Sequence, residues 1–349
     1  MIDDKLIIGK SKINKKNFDV LVFAVRNIKK VTIPSYIEII SQSAFEECNN
    51  IEEFKIERDS KLRIIENFAF SSSSIKNFIF PSSVIRIGQE SFSRAYPLQR
   101  VEIPQNSNLE IIGQRAFSNT LIDEIFIPPK VKKIEKCVFS DCINFRKIEI
   151  PSNSELKIIE EFAFSDSHIE CIFIPSTIIE LKESWCSGTM KLNRIFVDKN
   201  NQRYSAFNDN KYIIEKSSFK KKNFDVLAFS VRNIEIAKIP SFIEIIGSFA
   251  FNRCLKLTCV EFQNDSKLQI IKKCAFLCTS IIGESAFSNC TGLQFVEIPK
   301  NSKLQIIEKS AFYESSINSF FISKHVKYIG DNAFSFYDQL QIVEVDENS

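Results

Sequence analysis

The stretch Val101–Phe117 reads V-E-I-P-Q-N-S-N-L-E-I-I-G-Q-R-A-F and recurs with small changes along the 349-residue chain. A chain of this kind cannot fold around one core; its units must stack. The apolar residue at the I-P position falls at Ile33, Ile56, Phe80, Ile103, Ile127, Ile150, Ile174 and Val197. Its steps alternate between a short one, as from Ile33 to Ile56, and a long one with a single additional residue, as from Ile56 to Phe80. The Phe of the Ala-Phe pair falls at Phe45, Phe70, Phe92, Phe117, Phe139 and Phe164, and its steps alternate between 25 and 22 residues. The repeating unit is thus a 47-residue pair of rungs. One rung has a short I-P-S link and the other a longer link through N-S-x-L, as at Asn106–Leu109 and Asn153–Leu156.

Within a rung the pattern L-x-x-I-x-I-P, as in Leu98, Val101, Ile103 and Pro104, alternates with period two and predicts a short strand with one buried face. Pro ends the strand because it has no N–H to give to the ladder. The Ala-Phe segment follows a second extended piece and is expected to fill the interior. Phe is unusually common, 33 against one Trp, so it occupies a repeated slot. No segment between strands carries a helical stripe long enough for a helix, which argues against βαβ units. The fold expected is a leucine-rich-repeat solenoid with a continuous parallel β-sheet of about thirteen rungs in two arrays, eight and then five, and little or no α-helix.

The texts I-P-S-F-I-E-I-I-G-S-F-A-F (Ile239–Phe251) and, from Phe80, F-P-S-S-V-I-R-I-G-Q-E-S-F resemble the BspA-type leucine-rich repeats of surface antigens from mucosal protists and oral bacteria. The resemblance spans nearly the whole chain. It implies adhesion or ligand binding at a cell surface or in secreted form, with host or matrix proteins as partners. Glu57, Asp198, Gln263, Ser323 and Asp346 stand where the pattern has Pro, and Trp185-Cys186 replaces Ala-Phe, marking irregular rungs.

The array breaks after Val197. Lys211–Asn233 repeats the text of Lys5–Asn27 at a constant offset, so the chain is a large duplication. Each copy reads as a β-hairpin, with strands near Leu6–Ile8 and Val20–Phe23 and again near Tyr212–Ile214 and Val226–Phe229. The organisation expected is a hairpin module over 1–27, a first array over 28–197, a second module over 198–233 and a second array over 234–349. The lysine-rich tips (Lys10, Lys12, Lys15 and Lys16; Lys216 and Lys220–Lys222) read as solvated loops. In the second array the step from Phe262 to Ile298 falls well short of a full pair of rungs, which predicts a missing strand and a fault at Cys278–Glu284. The closing text V-D-E-N-S matches V-D-K-N-N at Val197–Asn201 and carries no polar cap, so self-association through uncapped ends is a further expectation.

Little in the sequence supports catalysis. With two histidines, His168 and His325, both read as surface residues, acid–base chemistry has scant material, and no Gly-rich phosphate cradle occurs. Cys137/Cys142, Cys254/Cys259 and Cys274/Cys278 lack the spacing of a zinc site, so no metal or cofactor is expected. Cys48, Cys142, Cys254 and Cys290 each lie three positions after the rung Phe, where other rungs place Ser, Ala or Thr; the slot takes a small buried side chain and free thiols are expected. A net charge of +3 with both signs interspersed favours neither nucleic acid nor anionic membrane. No apolar run approaches the roughly 20 residues that a membrane-spanning helix needs. The acid-bearing start lacks the apolar core of a secretory leader.

Strand alternation turns the fifth position of each strand outward. Rung by rung that column runs Thr32, Lys55, Ile79, Glu102, Phe126, Glu149, Phe173 and Phe196, then Lys238, Glu261, Glu297, Phe321 and Glu344. Large apolar residues interleaved with Glu on an exposed face mark Ile79, Glu102, Phe126, Glu149, Phe173, Phe196 and Phe321 as candidates for binding a protein. The function expected is a non-catalytic binding protein, a surface antigen or adhesin; the alternative is an intracellular interaction scaffold, in line with ten cysteines and no leader.

Overall fold

The computed structural model describes residues 5–11, 17–263, 265–277, 295–298, 302–313, 317–335 and 340–346. They form a β-solenoid with no α-helix among the described residues, divided into two compact units, Met1–Thr189 and Met190–Ser349. Among the described residues thirteen outward-facing strands follow the I-P marker, eight in the first array and five in the second, with the eighth, Arg194–Val197, inside the second unit.

Each rung has three hydrogen-bonded sides. The first is the I-x-I strand, and the second is the two-residue strand ahead of Ala-Phe, such as Ile111–Ile112. In the first unit these short strands run parallel in one unbroken sheet from Ile39–Ile40 to Glu180–Leu181. The third side is the Ala-Phe turn, where amides of one rung donate to carbonyls of the next: Phe45 N to Ala69 O at 2.7 Å, Phe92 N to Ala116 O at 2.8 Å and Phe139 N to Ala163 O at 2.9 Å. To present N–H groups alternately along this turn, residues two before and two after the Phe take left-handed backbone, as in Arg115 (φ 54°) and Asn119 (φ 59°). The chain does this almost without glycine; the inter-rung bonds hold conformations that cost a non-glycine residue about 1–2 kcal/mol each.

Inside these sides the Phe rings form a buried stack. Phe45 and Phe70 lie 4.9 Å apart at 2°, and the series continues through Phe92, Phe117, Phe139 and Phe164 to an edge contact with Trp185 at 6.1 Å. The second unit repeats it with Phe251, Phe276, Phe312 and Phe334. Phe45, Phe117 and Phe164 are fully buried, as the sequence leads one to expect. The small-residue slot is buried too: Cys48, Ser73, Ala95, Thr120, Cys142 and Ser167 all line the interior. The links also explain their motifs. In N-S-x-L the Ser107 Oγ accepts from Leu109 N at 3.2 Å, and the Ser154 Oγ accepts from Leu156 N at 3.1 Å, which turns the chain as the Leu enters the core.

Both hairpin modules form, Leu6–Gly9 against Val20–Ala24 and Tyr212–Glu215 against Val226–Ser230, antiparallel and with a register shift at the same place. A third strand that sequence reasoning missed, Tyr204–Phe207, pairs antiparallel with Tyr212–Glu215 in the second module. The modules solve a bonding problem. Ala-Phe amides point toward the following rung, so the first rung's carbonyls need donors from outside. Ala24 N supplies Ala44 O at 3.0 Å, and Arg26 adds bonds to Ala44 O at 3.2 Å and Ser43 O at 3.3 Å. Ser230 N and Arg232 repeat this at Ala250 O, with the Arg232 guanidinium 4.3 Å over the Phe229 ring. The loop of each hairpin is stapled by an Asp: Ser217 donates to Asp225 from both N and Oγ, as Ser11 does to Asp19. In the second loop Lys221 is drawn into ion pairs with Asp225 and Glu244.

The outward strands differ from expectation. In the first unit they are not one continuous sheet but hydrogen-bonded pairs: Lys30–Ile33 with Glu53–Ile56, Asn77–Ile79 with Arg100–Glu102, and Glu124–Phe126 with Lys147–Glu149. Every paired step is a short one, as where Glu124 lies opposite Lys147, and every unpaired step is a long one. The additional residue of the long step lets the two strands lie side by side without their main-chain groups meeting. The second unit follows the same rule within one sheet. There the short step pairs Ser319–Ile322 with Ile342–Val345 along their whole length, while the long step pairs only Phe295 with Ser319. The fault expected at Cys278–Glu284 lies outside the described residues; on either side of it, Cys259 sits opposite Phe295 in adjacent parallel strands.

Candidate functional site

The unpaired step between Arg100–Glu102 and Glu124–Phe126 carries the candidate site. A depression of about 320 Å³ straddles this seam, with Ile79, Glu102, Phe126 and Glu149 on its walls and Val101, Ile125 and Ile103 in its floor. The structure therefore brings four members of the outward column into one cleft. Ile79 is 64% exposed, Glu149 is exposed, and Glu102 and Phe126 are half-buried. Phe173 continues the column in the same unit and is half-buried. Phe196, 41% exposed, and the half-buried Phe321 belong to the second unit.

Sequence reasoning missed two lining residues, Glu124 and Lys147. They face each other across a short step with Nζ to carboxylate at 3.5 Å. The signal was present, since residues one short step apart pair directly, as Lys29 does with Glu52 and Lys238 with Glu261. Glu102 is bonded by Arg100 of its own strand. Such exposed pairs add little stability, but they hold the carboxylates in place around the apolar floor. A second depression of about 370 Å³ on the Ala-Phe side is polar, and its Arg115 lies 3.9 Å from Glu90.

The cleft offers an apolar floor bordered by charged side chains. Among the described residues no group of His, Cys, Asp and Glu could hold a metal ion. His325 is exposed, as expected, while His168 is half-buried, and both lie outside the cleft. The eight described cysteines are free, and burial pushes the Cys142 thiol up to about 11, so it is not a ready nucleophile.

Known proteins agree with this architecture. A family model described as BspA type leucine rich repeat region, in six copies, matches residues 16–145, 110–226, 205–282 and 278–349. A leucine rich cell surface protein from Faecalibacterium prausnitzii is similar in structure at 20% identity, over 99% of this chain and 94% of that one, with a TM-score of 0.60. A leucine-rich repeat protein from Bacteroides ovatus is similar at 19% identity, over 94% and 84%, with a TM-score of 0.54. The pneumococcal vaccine antigen PcpA is 17% identical, with a TM-score of 0.48; this chain is covered over 97% and spans 65% of PcpA's length. At these identities the likeness concerns the fold. No curated protein matches the chain. With family models tiling residues 16–349, the chain belongs to the BspA-type leucine-rich-repeat family.

Proposed function

We propose that the protein is a non-catalytic binding protein of the surface-antigen type. Its outward face takes a protein partner at the cleft formed by Ile79, Glu102, Phe126 and Glu149, extended by Phe173. The observation that carries this reading is the cleft itself, where an exposed aliphatic and an aromatic side chain sit among carboxylates on a rigid frame. A preformed surface loses little ordering entropy on binding, and aromatic anchors are enriched at interface cores. The carboxylates break up the apolar patch and select against acidic partners. Phe196 and Phe321 offer a similar surface on the second unit, and host or matrix proteins are the partner class the family suggests.

Phe126→Ser combined with Phe173→Ser should weaken binding of the chain to host cells or matrix proteins while leaving thermal stability nearly unchanged. Undiminished binding by the double variant overturns the assignment of the site. Surface or secreted placement rests on the family; no helix among the described residues is long and apolar enough to cross a membrane. A second reading, an intracellular interaction scaffold, draws on the eight free cysteines, since reduced thiols are the rule in reducing compartments. Labelling of intact cells with an impermeant reagent separates the two, and glycan at Asn264, which lies outside the described residues and is the acceptor of an Asn264-Asp265-Ser266 sequon, would favour the first.

A further inference from the structure

The Ala-Phe side of the first unit carries a row of serines one position after the ring slot: Ser71, Ser93, Ser118, Ser140, Ser165 and Ser187. All six lie on consecutive rungs and are buried. The turn itself does not ask for serine there. The same position holds Glu46 in the first rung, and Asn252, Leu277 and Tyr313 in the second array beside Ser288 and Ser335. A place that accepts Leu and Tyr, yet holds Ser in six rungs running, answers to something other than the turn.

The row forms the floor of the polar depression of about 370 Å³, with Ser93, Ser118, Ser140 and Ser165 in its lining. Residues two before and two after the ring flank the floor in two rows, which bring Arg115 and Phe162 to one wall and Arg94 and Asp141 to the other. Ser118 and Ser140 bond to each other at 2.9 Å, and Ser165 donates to Asp166 at 2.7 Å. Ser93 does neither. It is 4% exposed, it lines the depression, and its hydroxyl has no hydrogen-bond partner among the described residues. A buried hydroxyl left without a partner is costly and uncommon; this one opens on the depression, where a ligand can reach it.

The lining says what kind of ligand. Its charges cancel: Arg94 and Arg115 stand against Glu90 and Asp141, with Arg115 3.9 Å from Glu90. Such a site favours neither an anion nor a cation. Hydroxyls both donate and accept, so a row of them matches a neutral ligand that is itself rich in hydroxyls. At one end Phe162 is 38% exposed, with the Lys136 Nζ 5.8 Å from its ring centroid. An aromatic ring offers the C–H face of a sugar an apolar surface to pack on. A protein partner needs several buried anchors, and Phe162 is the one aromatic residue in this lining. Rungs repeat about every 4.8 Å, so the six serines run for roughly 24 Å, a length that suits a chain of units rather than a single small molecule.

We propose that this groove binds a neutral, linear carbohydrate laid along the serine row. The Ser93 hydroxyl bonds a sugar hydroxyl, and the Phe162 ring packs against a sugar face. The groove lies on a different side of the rungs from the cleft at Phe126 and is independent of what that cleft binds.

The test is saturation-transfer difference NMR and calorimetric titration of the full chain with maltohexaose, cellohexaose, xylohexaose and mannohexaose, and with a heparin fragment of like length as the charged probe. At least one neutral probe should bind saturably, and the heparin fragment should not. Ser93→Ala and Phe162→Ala should each weaken that binding about threefold to tenfold, the size of one hydrogen bond or one aromatic contact, with an unchanged circular dichroism spectrum. Ser118→Tyr sets on the floor the side chain that the second array carries at Tyr313, and should abolish binding. Absence of binding by every neutral probe at its solubility limit overturns the proposal. Binding of the heparin fragment alone does so too, because it marks a site driven by charge. Full-strength binding by either alanine variant also overturns it. Should Ser118→Tyr lose the folded spectrum, the two alanine variants decide the matter, since one removes a single oxygen atom and the other a surface ring.

Discussion

Truncating Phe117 to Ala is the sharpest test of what holds the rungs together. Its ring is fully buried, 5.4 Å from Phe92 at 11° and 5.8 Å from Phe139 at 2°. Burial of a Phe side chain is worth about 1.5–3 kcal/mol. Two aromatic contacts add about 0.5–1.5 kcal/mol each. A stacked solenoid interior cannot collapse onto the gap without breaking the Phe92-to-Ala116 and Phe117-to-Val138 backbone bonds, so little of this is recovered. The expected loss is about 4 kcal/mol, within the usual range for Phe→Ala in a core. Phe117→Leu keeps most of the apolar volume and loses only the stacking, so it should cost about 1–3 kcal/mol. The assay is urea unfolding followed by circular dichroism and by the fluorescence of Trp185, the single Trp, which packs on Phe164 three rungs along the same stack. A change below about 1 kcal/mol for Phe117→Ala, the size of a surface substitution, would refute the stack as the main source of cohesion.

Other consequences are open to measurement. Arg115 sits at φ 54° with its side chain at the surface, so Arg115→Gly should raise stability by about 0.5–1 kcal/mol, the left-handed strain relieved less the entropy of Gly; a lowered melting temperature would contradict this. Exposed Cys171 should react with a maleimide in the native protein, whereas Cys48, Cys142 and Cys254 should react only on unfolding; fast native labelling of Cys142 would show that the interior opens. Burial alone would raise the Asp225 carboxyl, but the Lys221 ion pair and the two Ser217 bonds outweigh it and hold it below the usual carboxylate range. Its contribution is therefore complete above the unfolded pKa and lost as pH falls through the lower folded pKa. Asp225→Asn should destabilise at neutral pH, with the gap to the unaltered protein narrowing in acid; a gap that does not depend on pH would mean that the charge is not what matters.

Much of the fold was legible because a repeat prints the same physics many times. Period-two alternation gave the I-x-I strands, the regular Ala-Phe spacing gave the buried ring stack, and the constant offset between Lys5 and Lys211 gave both hairpins. The small-residue slot was readable from substitution among Cys, Ser, Ala and Thr in most rungs, because a buried turn position favours small side chains. The outward column could also be read off, since alternation alone decides which side chains leave the core. What alternation cannot say is how neighbouring strands meet. The single-residue difference between short and long steps was visible as arithmetic. Its consequence, a paired step followed by a seam, depends on where main-chain donors and acceptors fall in space. The strand Tyr204–Phe207 escaped notice for a related reason: it lies outside the rung pattern, and its pairing with Tyr212–Glu215 is visible only in space. Composition and spacing thus determined the solenoid, its rungs and its interior. Tertiary structure alone decided that Ile79, Glu102, Phe126 and Glu149 share one cleft with Glu124 and Lys147, because a cleft is made by strands that fail to bond, and no residue type encodes that by itself.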